Sequence, residues 1–418
     1  MRKGLWRMVA TAIAAAGMIA PAAAAQDAVP AVAASEPSTP PGPRIESAVQ
    51  ALAQDAAEYA LQNGVALDEA MRRLRAQEES VAATDRIRQT YRDRLAGISI
   101  EHRPAYRIVV LLTGSDPVPD ESIAAGGMQV PVVFKTGAAA TGDAIVAAMR
   151  AHQAEIRAAL PDAQGMGLDP RTGELVLLAG RSTTDADALR AEMAELTGVP
   201  VRIETVDRTD VNFEIEGGAR VVGVDPRDGR RYACTTGFVV TDATRTGVVT
   251  AAHCPDTLTY FDPDGGETPL SFAGEWGARY QDVQVNVSPR AQRPFFYVDS
   301  SKTQVRTLTS WRNRTSTRAG DVVCHRGETT GYSCSQVRLT DFAPPRDLCG
   351  GPCEPTWVTV AGPHCRGGDS GGPIFNGTIA FGIVKGGSYA ADGSCNFYYY
   401  MSTDFLPPGW SLLHGSSG

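Results

Sequence analysis

Cys365-Arg366-Gly367-Gly368-Asp369-Ser370-Gly371-Gly372-Pro373 places one serine among four glycines. Glycine costs conformational entropy and offers no side chain to pack, so a run this dense marks a backbone that must reach unusual dihedrals or let another group come close. Serine is a weak nucleophile by itself. It attacks a carbonyl carbon when a histidine, oriented by a third group, takes its proton and when backbone N–H groups stabilise the oxyanion that forms.

The surroundings of that stretch narrow the choices. At 418 residues the chain exceeds what one hydrophobic core normally serves, so two domains are expected. A net charge of −8 gives no general attraction to nucleic acid or to an anionic membrane surface, and nucleic-acid binding is disfavoured. The eight cysteines, at 234, 254, 324, 334, 349, 353, 365 and 395, all lie in the C-terminal half. An even number confined to one part of the chain points to a disulfide-stapled domain matured in an oxidising compartment. Cys349 and Cys353 have a zinc-like gap, but no second closely spaced Cys or His pair accompanies them, so neither a metal nor another cofactor is expected.

Export is the expectation at the N-terminus as well. Met1-Arg2-Lys3 and Arg7 make a positive region, 8–20 is apolar, and Ala23-Ala24-Ala25 satisfies a small-residue cleavage pattern, so 1–25 reads as a signal peptide. The apolar run is short for a bilayer span, and no stable membrane insertion is expected. Residues 26–44 are an Ala/Pro-rich linker that cannot bury enough apolar surface to fold. Helical segments are expected over 45–62 and 67–95, the second amphipathic through Leu67, Met71, Leu74 and Val81. Strands at 106–112, 129–134, 174–179 and 199–206 alternate with helices at 142–160 and 185–196, a small α+β arrangement. Its His102 and His152 are isolated and read as surface or packing residues. From 213 onward short runs of Gly, Thr, Val and aromatic residues alternate with turns, which argues for an all-β sandwich or barrel.

Partners for the serine lie in that β half. Thr250-Ala251-Ala252-His253-Cys254 follows the apolar run Gly247-Val248-Val249, so His253 sits where a buried strand ends and a loop begins. A histidine base needs a carboxylate on its other ring nitrogen to set its tautomer. Asp282, just ahead of the alternating Val283-Gln284-Val285, lies after the histidine and before the serine, which raises it above Asp256, Asp262, Asp264 and Asp299.

Thr-Ala-Ala-His-Cys, an Asp opening a strand, and Gly-Asp-Ser-Gly-Gly-Pro, in that order, resemble the chymotrypsin family of serine proteases, and within it the bacterial secreted branch that includes α-lytic protease and the streptogrisins. The order separates it from subtilisins and α/β-hydrolases. Cys324-His325-Arg326-Gly327-Glu328-Thr329-Thr330-Gly331-Tyr332-Ser333-Cys334 is similar to that branch's disulfide hairpin. The resemblance implies an all-β double β-barrel protease domain over 213–418, with Ser370 as nucleophile, His253 as general base and Asp282 orienting the ring. It further implies an oxyanion hole from the N–H groups of Gly368 and Ser370, and disulfides Cys234–Cys254, Cys324–Cys334 and Cys365–Cys395, with Cys349–Cys353 left as a fourth pair. Residues 45–212 would be an α+β pro-region that assists folding and then inhibits, 169–178 and 198–206 being similar to pieces of such pro-regions. Ile215-Glu216-Gly217-Gly218 resembles the mature N-terminus of the family.

Three departures stand out. The branch places an arginine after the hairpin's first cysteine to support the Asp beside the nucleophile; here His325 holds that place, Arg326 follows, and either could pair with Asp369. Lys385, followed by Gly386 and Gly387 on the substrate-binding strand, replaces a usual serine; its ammonium could favour an acidic substrate side chain or point to solvent, and the second is preferred. The pocket wall near His364 and 397–400 has no clear carboxylate, which argues against a preference for Lys or Arg. The function expected is that of an exported, monomeric serine endopeptidase acting on proteins and peptides, made as a zymogen with its own pro-region as partner; the alternative is a catalytically impaired protease-like binding protein.

Overall fold

The computed structural model describes residues 43–161, 163–180, 186–206, 211–212, 219–263, 265–362 and 364–415. The expected signal peptide, nearly all of the expected linker, and the Ile215–Gly218 stretch expected to begin the mature chain lie outside these residues.

Short β-rich runs after residue 219 pair into two lobes. In the first, one sheet orders the strands Arg231–Thr235, Arg220–Val224, Leu258–Phe261 and Glu267–Pro269. A second orders Ser271–Trp276, Val283–Val287, Thr246–Thr250, Val239–Thr241 and Ser411–Leu412. Every neighbouring pair is antiparallel, and alternate side chains point inward, so Val240, Val249, Val283 and Val285 meet Phe238 and Phe296 in one buried cluster.

The second lobe orders six antiparallel strands: Gly331–Gln336, Val322–Gly327, Pro373–Asn376, Ile379–Tyr389, Cys395–Ser402 and Val358–Ala361. The first and last of these edges meet through a bridge between Val337 and Val360 and the bond from Arg338 N to Thr359 O (2.8 Å), closing the sheet on itself. Closure pairs the two ends of this strand order and allows a two-sided core, in which Ile379–Tyr389 is buried along nearly its whole length. Four disulfides staple this half: Cys234–Cys254, Cys324–Cys334, Cys349–Cys353 and Cys365–Cys395. Cys349 and Cys353 are thereby removed as thiolate ligands for a metal.

The N-terminal half is α+β. Helix Ala48–Asn63 opens with a capping box in which the Ser47 hydroxyl accepts from Gln50 N (3.3 Å) and the Gln50 side chain accepts from Ser47 N (2.9 Å). One sheet orders Leu95–Glu101, Arg107–Thr113, Met128–Ala138 and Glu121–Ala125. In the other, Gly165–Asp169 pairs with Glu174–Gly180, which runs parallel to Val201–Val206 across the helix Ala186–Thr197.

Several expected boundaries move. The helix expected over 67–95 divides into Leu67–Glu79 and Val81–Thr90. At the break the Ser80 hydroxyl donates to Gln77 O and accepts from the buried guanidinium of Arg318, a tertiary contact that periodicity does not encode. The helix expected over 142–160 likewise divides at His152. Leu95–Glu101, Glu121–Ala125 and Gly165–Asp169 are strands that local sequence did not announce. The first and third are buried on both faces, so they lack the alternation by which a half-buried strand is recognised.

The two halves are joined at several places. Strand Thr340–Ala343 of the β half adds antiparallel to Gly165–Asp169 as the fourth strand of that sheet. Strand Arg44–Glu46 runs parallel to Gln304–Thr307. Beside it Arg306, wholly buried, meets Glu46 at 2.9 Å and Asp55 at 2.8 Å, and Asp55 also accepts from Tyr332 Oη and Gly377 N at 2.6 Å each. Charges this deep are tolerable only because each has a partner of opposite sign and further hydrogen bonds.

Candidate active site

Strand Thr246–Thr250 delivers His253 to the place where the two lobes meet, and two fastenings hold the loop. The Thr250 hydroxyl donates to Thr235 O (2.6 Å), and the Cys234–Cys254 disulfide ties the residue after His253 to the neighbouring strand. Asp282 precedes strand Val283–Val287, which is the partner of Thr246–Thr250, so sheet pairing alone sets the two residues side by side. The His253 Nδ1 lies 2.8 Å from Asp282 Oδ2, and His253 N donates to Oδ1 at 3.2 Å. On the other side Nε2 lies 2.8 Å from Ser370 Oγ. An ionised carboxylate can only accept, so Nδ1 carries the ring proton and the Nε2 lone pair faces the serine hydroxyl.

Ser370 is fully buried, on the turn that leads into Pro373–Asn376. The turn is sewn to both lobes: Thr235 N donates to Ser370 O (2.7 Å), Gly371 N to Val384 O (2.8 Å) and Val384 N to Gly372 O (2.9 Å). Gly371 has φ 83° and its missing Cβ would run into Thr235 O and Thr250 Oγ1, so no other residue fits there. Among the described residues the N–H groups of Gly368 and Ser370 take part in no backbone hydrogen bond.

Asp369 is supported by neither of its two expected partners. Its carboxylate accepts from Thr330 Oγ1 at 2.7 Å, Thr330 N at 3.2 Å and Arg366 N at 2.9 Å. Arg326 turns the other way, to Glu328 and to the carbonyls of Asp299 and Ser300. His325 acts one step removed. Because the Thr330 hydroxyl gives its proton to Asp369, His325 Nε2 must donate to Thr330 Oγ1 (3.0 Å), leaving Nδ1 to accept from the Ser333 hydroxyl (3.3 Å). Burial pushes His325 down to about 3, which keeps it neutral in this role, and burial pushes Asp369 up to about 6 against the hydrogen bonds that favour its charged form.

Lys385 corrects the preferred expectation of a solvent-facing side chain. It is 2% exposed, lies 5.3 Å from the centre of the Trp357 ring, and places Nζ 3.3 Å from Asp282 Oδ2. Burial alone would raise the Asp282 carboxyl; the positive charges of His253 and Lys385 outweigh it and hold the group at about 2. Asp282 N faces Met401 Sδ at 3.3 Å.

Gly386 and Gly387, on the same strand as Lys385, pair with Tyr399 and Tyr398 on one side. On the other side they pair antiparallel with Asn212 and Val211. His364 is exposed on the loop ahead of Cys365, where its charge bears on His325; among the described residues no hydrogen bond joins it to Ser370. Thr330 is the site residue that sequence reasoning passed over. It lies inside the quoted hairpin, but its contact with Asp369 spans 39 positions and leaves no local pattern.

A serine-bearing turn from one closed β-lobe meets a histidine and an aspartate from a second. The fold is chymotrypsin-like.

No protein-family model matches the sequence. Among solved structures the chain is similar to Thermobifida fusca protease A, with 23% identity and a TM-score of 0.38 over 48% of this chain and 99% of that one. It is similar also to a glutamic-acid-specific serine protease described as using a histidine triad in substrate binding, with 21% identity and a TM-score of 0.37 over 46% of this chain and 94% of that one. A chymotrypsin from Cellulomonas bogoriensis matches with 20% identity and a TM-score of 0.36 over 49% of this chain and all of that one.

Proposed function

We propose that the chain is an exported serine endopeptidase, made as a zymogen, in which Ser370 attacks the scissile carbonyl, His253 first removes and later returns the proton, and Asp282 orients the imidazole. The observation that carries this reading is the continuous chain of 2.8 Å contacts from Asp282 Oδ2 through the two ring nitrogens of His253 to Ser370 Oγ. Attack breaks the carbonyl π bond, and the oxyanion so formed would meet the uncommitted N–H groups of Gly368 and Ser370. Ser370→Ala is expected to abolish both labelling by a fluorophosphonate probe and hydrolysis of denatured casein; labelling that persists in the variant would remove Ser370 from this role.

Four disulfides favour an oxidising destination, secreted or periplasmic. No helix among the described residues is long and apolar enough to cross a membrane. Residues 45–212 act in this reading as a pro-region that is both folding aid and inhibitor. In favour of inhibition, Val211–Asn212 adds as a strand to Gly386 and Gly387, the edge on which an extended substrate backbone would add. In favour of a folding role, the strand Thr340–Ala343 and the buried Arg306 both take their partners from the N-terminal half.

The contact between Lys385 and Asp282 is the one observation that favours a catalytically impaired binding protein, because the ammonium occupies the carboxylate that the imidazolium would use. Hydrolysis of casein by the processed protein decides between the two.

A further inference from the structure

The Asp282 carboxylate is shared. Its Oδ2 receives both His253 Nδ1 at 2.8 Å and Lys385 Nζ at 3.3 Å, so the ammonium and the ring nitrogen lie within about 6 Å of each other across one oxygen. A serine, usual at this place in the family the chain resembles, would bring no charge to that oxygen. The lysine gives it a full charge, and the protein has prepared the slot: the stem is buried, the ammonium lies over Trp357, and Trp357 in turn meets the ring of Tyr399 edge-on.

We propose that Lys385 is a positioning residue that sets the pH range of the reaction: its ammonium, anchored on Asp282, holds His253 in the unprotonated, base-competent form further into acid than a neutral residue there would. This rests on the protease reading above. The physical reason is that protonating His253 would place a second cation on the far side of an oxygen whose charge is already partly neutralised. Few other charges face the pair. Strand Ser271–Trp276 contributes Glu275, which couples to Asp282 and is itself pushed up by burial and by Asp256. The strand Cys395–Ser402 brings only Met401 Sδ and the uncharged ring of Tyr399, and Trp357 brings none. The same repulsion opposes the imidazolium that forms when Ser370 gives up its proton, so the lysine exchanges some rate at neutral pH for activity in acid.

Two unit charges about 6 Å apart at an effective dielectric near 20 correspond to an upper value of about two pH units, and one to two units is the expected displacement. The experiment is the rate of fluorophosphonate labelling of Ser370 between pH 4 and 9 in the protein produced from the full chain. Lys385→Ser and Lys385→Met are expected to move the acid limb up by about one to two pH units and to raise the plateau. Methionine keeps an unbranched stem against Trp357, so it separates loss of charge from loss of packing. Lys385→Arg retains the charge and is expected to keep the wild-type limb. Acid limbs of the Ser and Met variants within about 0.3 unit of wild type, or an Arg limb displaced as far as the Met limb, would overturn the proposal. Should a variant label too slowly to define its limb, the ring titration of His253 followed by NMR in Lys385→Met gives the same midpoint, with an unchanged midpoint overturning the proposal. Failure of the wild type to label at all is a different outcome: it removes the nucleophile reading and with it the reaction that Lys385 would tune.

Discussion

Replacing Thr330 by valine tests how the turn that carries Ser370 is held. The two side chains have nearly the same shape, so no cavity opens, and what is lost is one hydroxyl that donates to Asp369 Oδ2 at 2.7 Å and accepts from His325 Nε2 at 3.0 Å. A hydrogen bond to a charged group contributes about 1.5–3 kcal/mol and a neutral one about 1, and Asp369 and His325 are both buried, so about 3 kcal/mol of destabilisation is expected at pH 8. Burial raises Asp369 in the folded protein to about 6 from 3.8. The native state therefore holds a proton that the unfolded chain releases across that window, and stability from this group is present at low pH and declines as pH rises through about 6. A protonated Asp369 depends less on an external donor, so the cost of Thr330→Val is expected to be smaller at pH 5 than at pH 8. Denaturant midpoints at the two pH values measure the stability difference, and the fluorophosphonate labelling rate of Ser370 reports the turn that Asp369 anchors. Labelling is expected to fall by tenfold or more, about the equivalent of 1.4 kcal/mol, while Thr330→Ser, which keeps the hydroxyl, stays near wild type. A Thr330→Val protein within about 0.5 kcal/mol of wild type at pH 8, with an unchanged labelling rate, would refute the reasoning.

Two further outcomes concern the N-terminal half. Asp55→Ala strips the buried Arg306 of one of its two carboxylates and leaves Tyr332 Oη and Gly377 N without their acceptor; a loss of about 3–5 kcal/mol is expected in a denaturant titration of the full chain, and a loss under about 1 kcal/mol would show that the ion cluster does not hold the halves together. Mass spectrometry of the exported protein is expected to find a stable fragment beginning near Ile215. A chain that persists from near Gln26 would instead mark residues 45–212 as a permanent domain.

Much of the candidate site is legible in the sequence because its chemistry depends on local backbone. The glycines around Ser370 announce a turn that tolerates no side chain, and the structure gives Gly371 a positive φ with its Cβ direction closed by Thr235 and Thr250. His253 and Asp282 are legible because each adjoins a strand end, and those strands pair. The strands at 95–101 and 165–169 are not, since burial on both faces erases the alternation that marks a strand. The break at Ser80 is hidden for a different reason: its cause is Arg318, 238 positions away.

Sequence alone therefore determined which serine, histidine and aspartate are the candidates for the chemistry and in what order they come, because a nucleophile turn, a base and a carboxylate each need a particular side chain on a particular kind of backbone. Only the tertiary structure decided how those residues are supported. It set Thr330, with His325 behind it, on Asp369 where His325 or Arg326 itself was expected, and turned Lys385 from solvent onto Asp282. A long flexible side chain carries no record in its neighbours of which way it points; its direction follows from where a buried partner of opposite charge lies, and that place exists only once the two lobes have met.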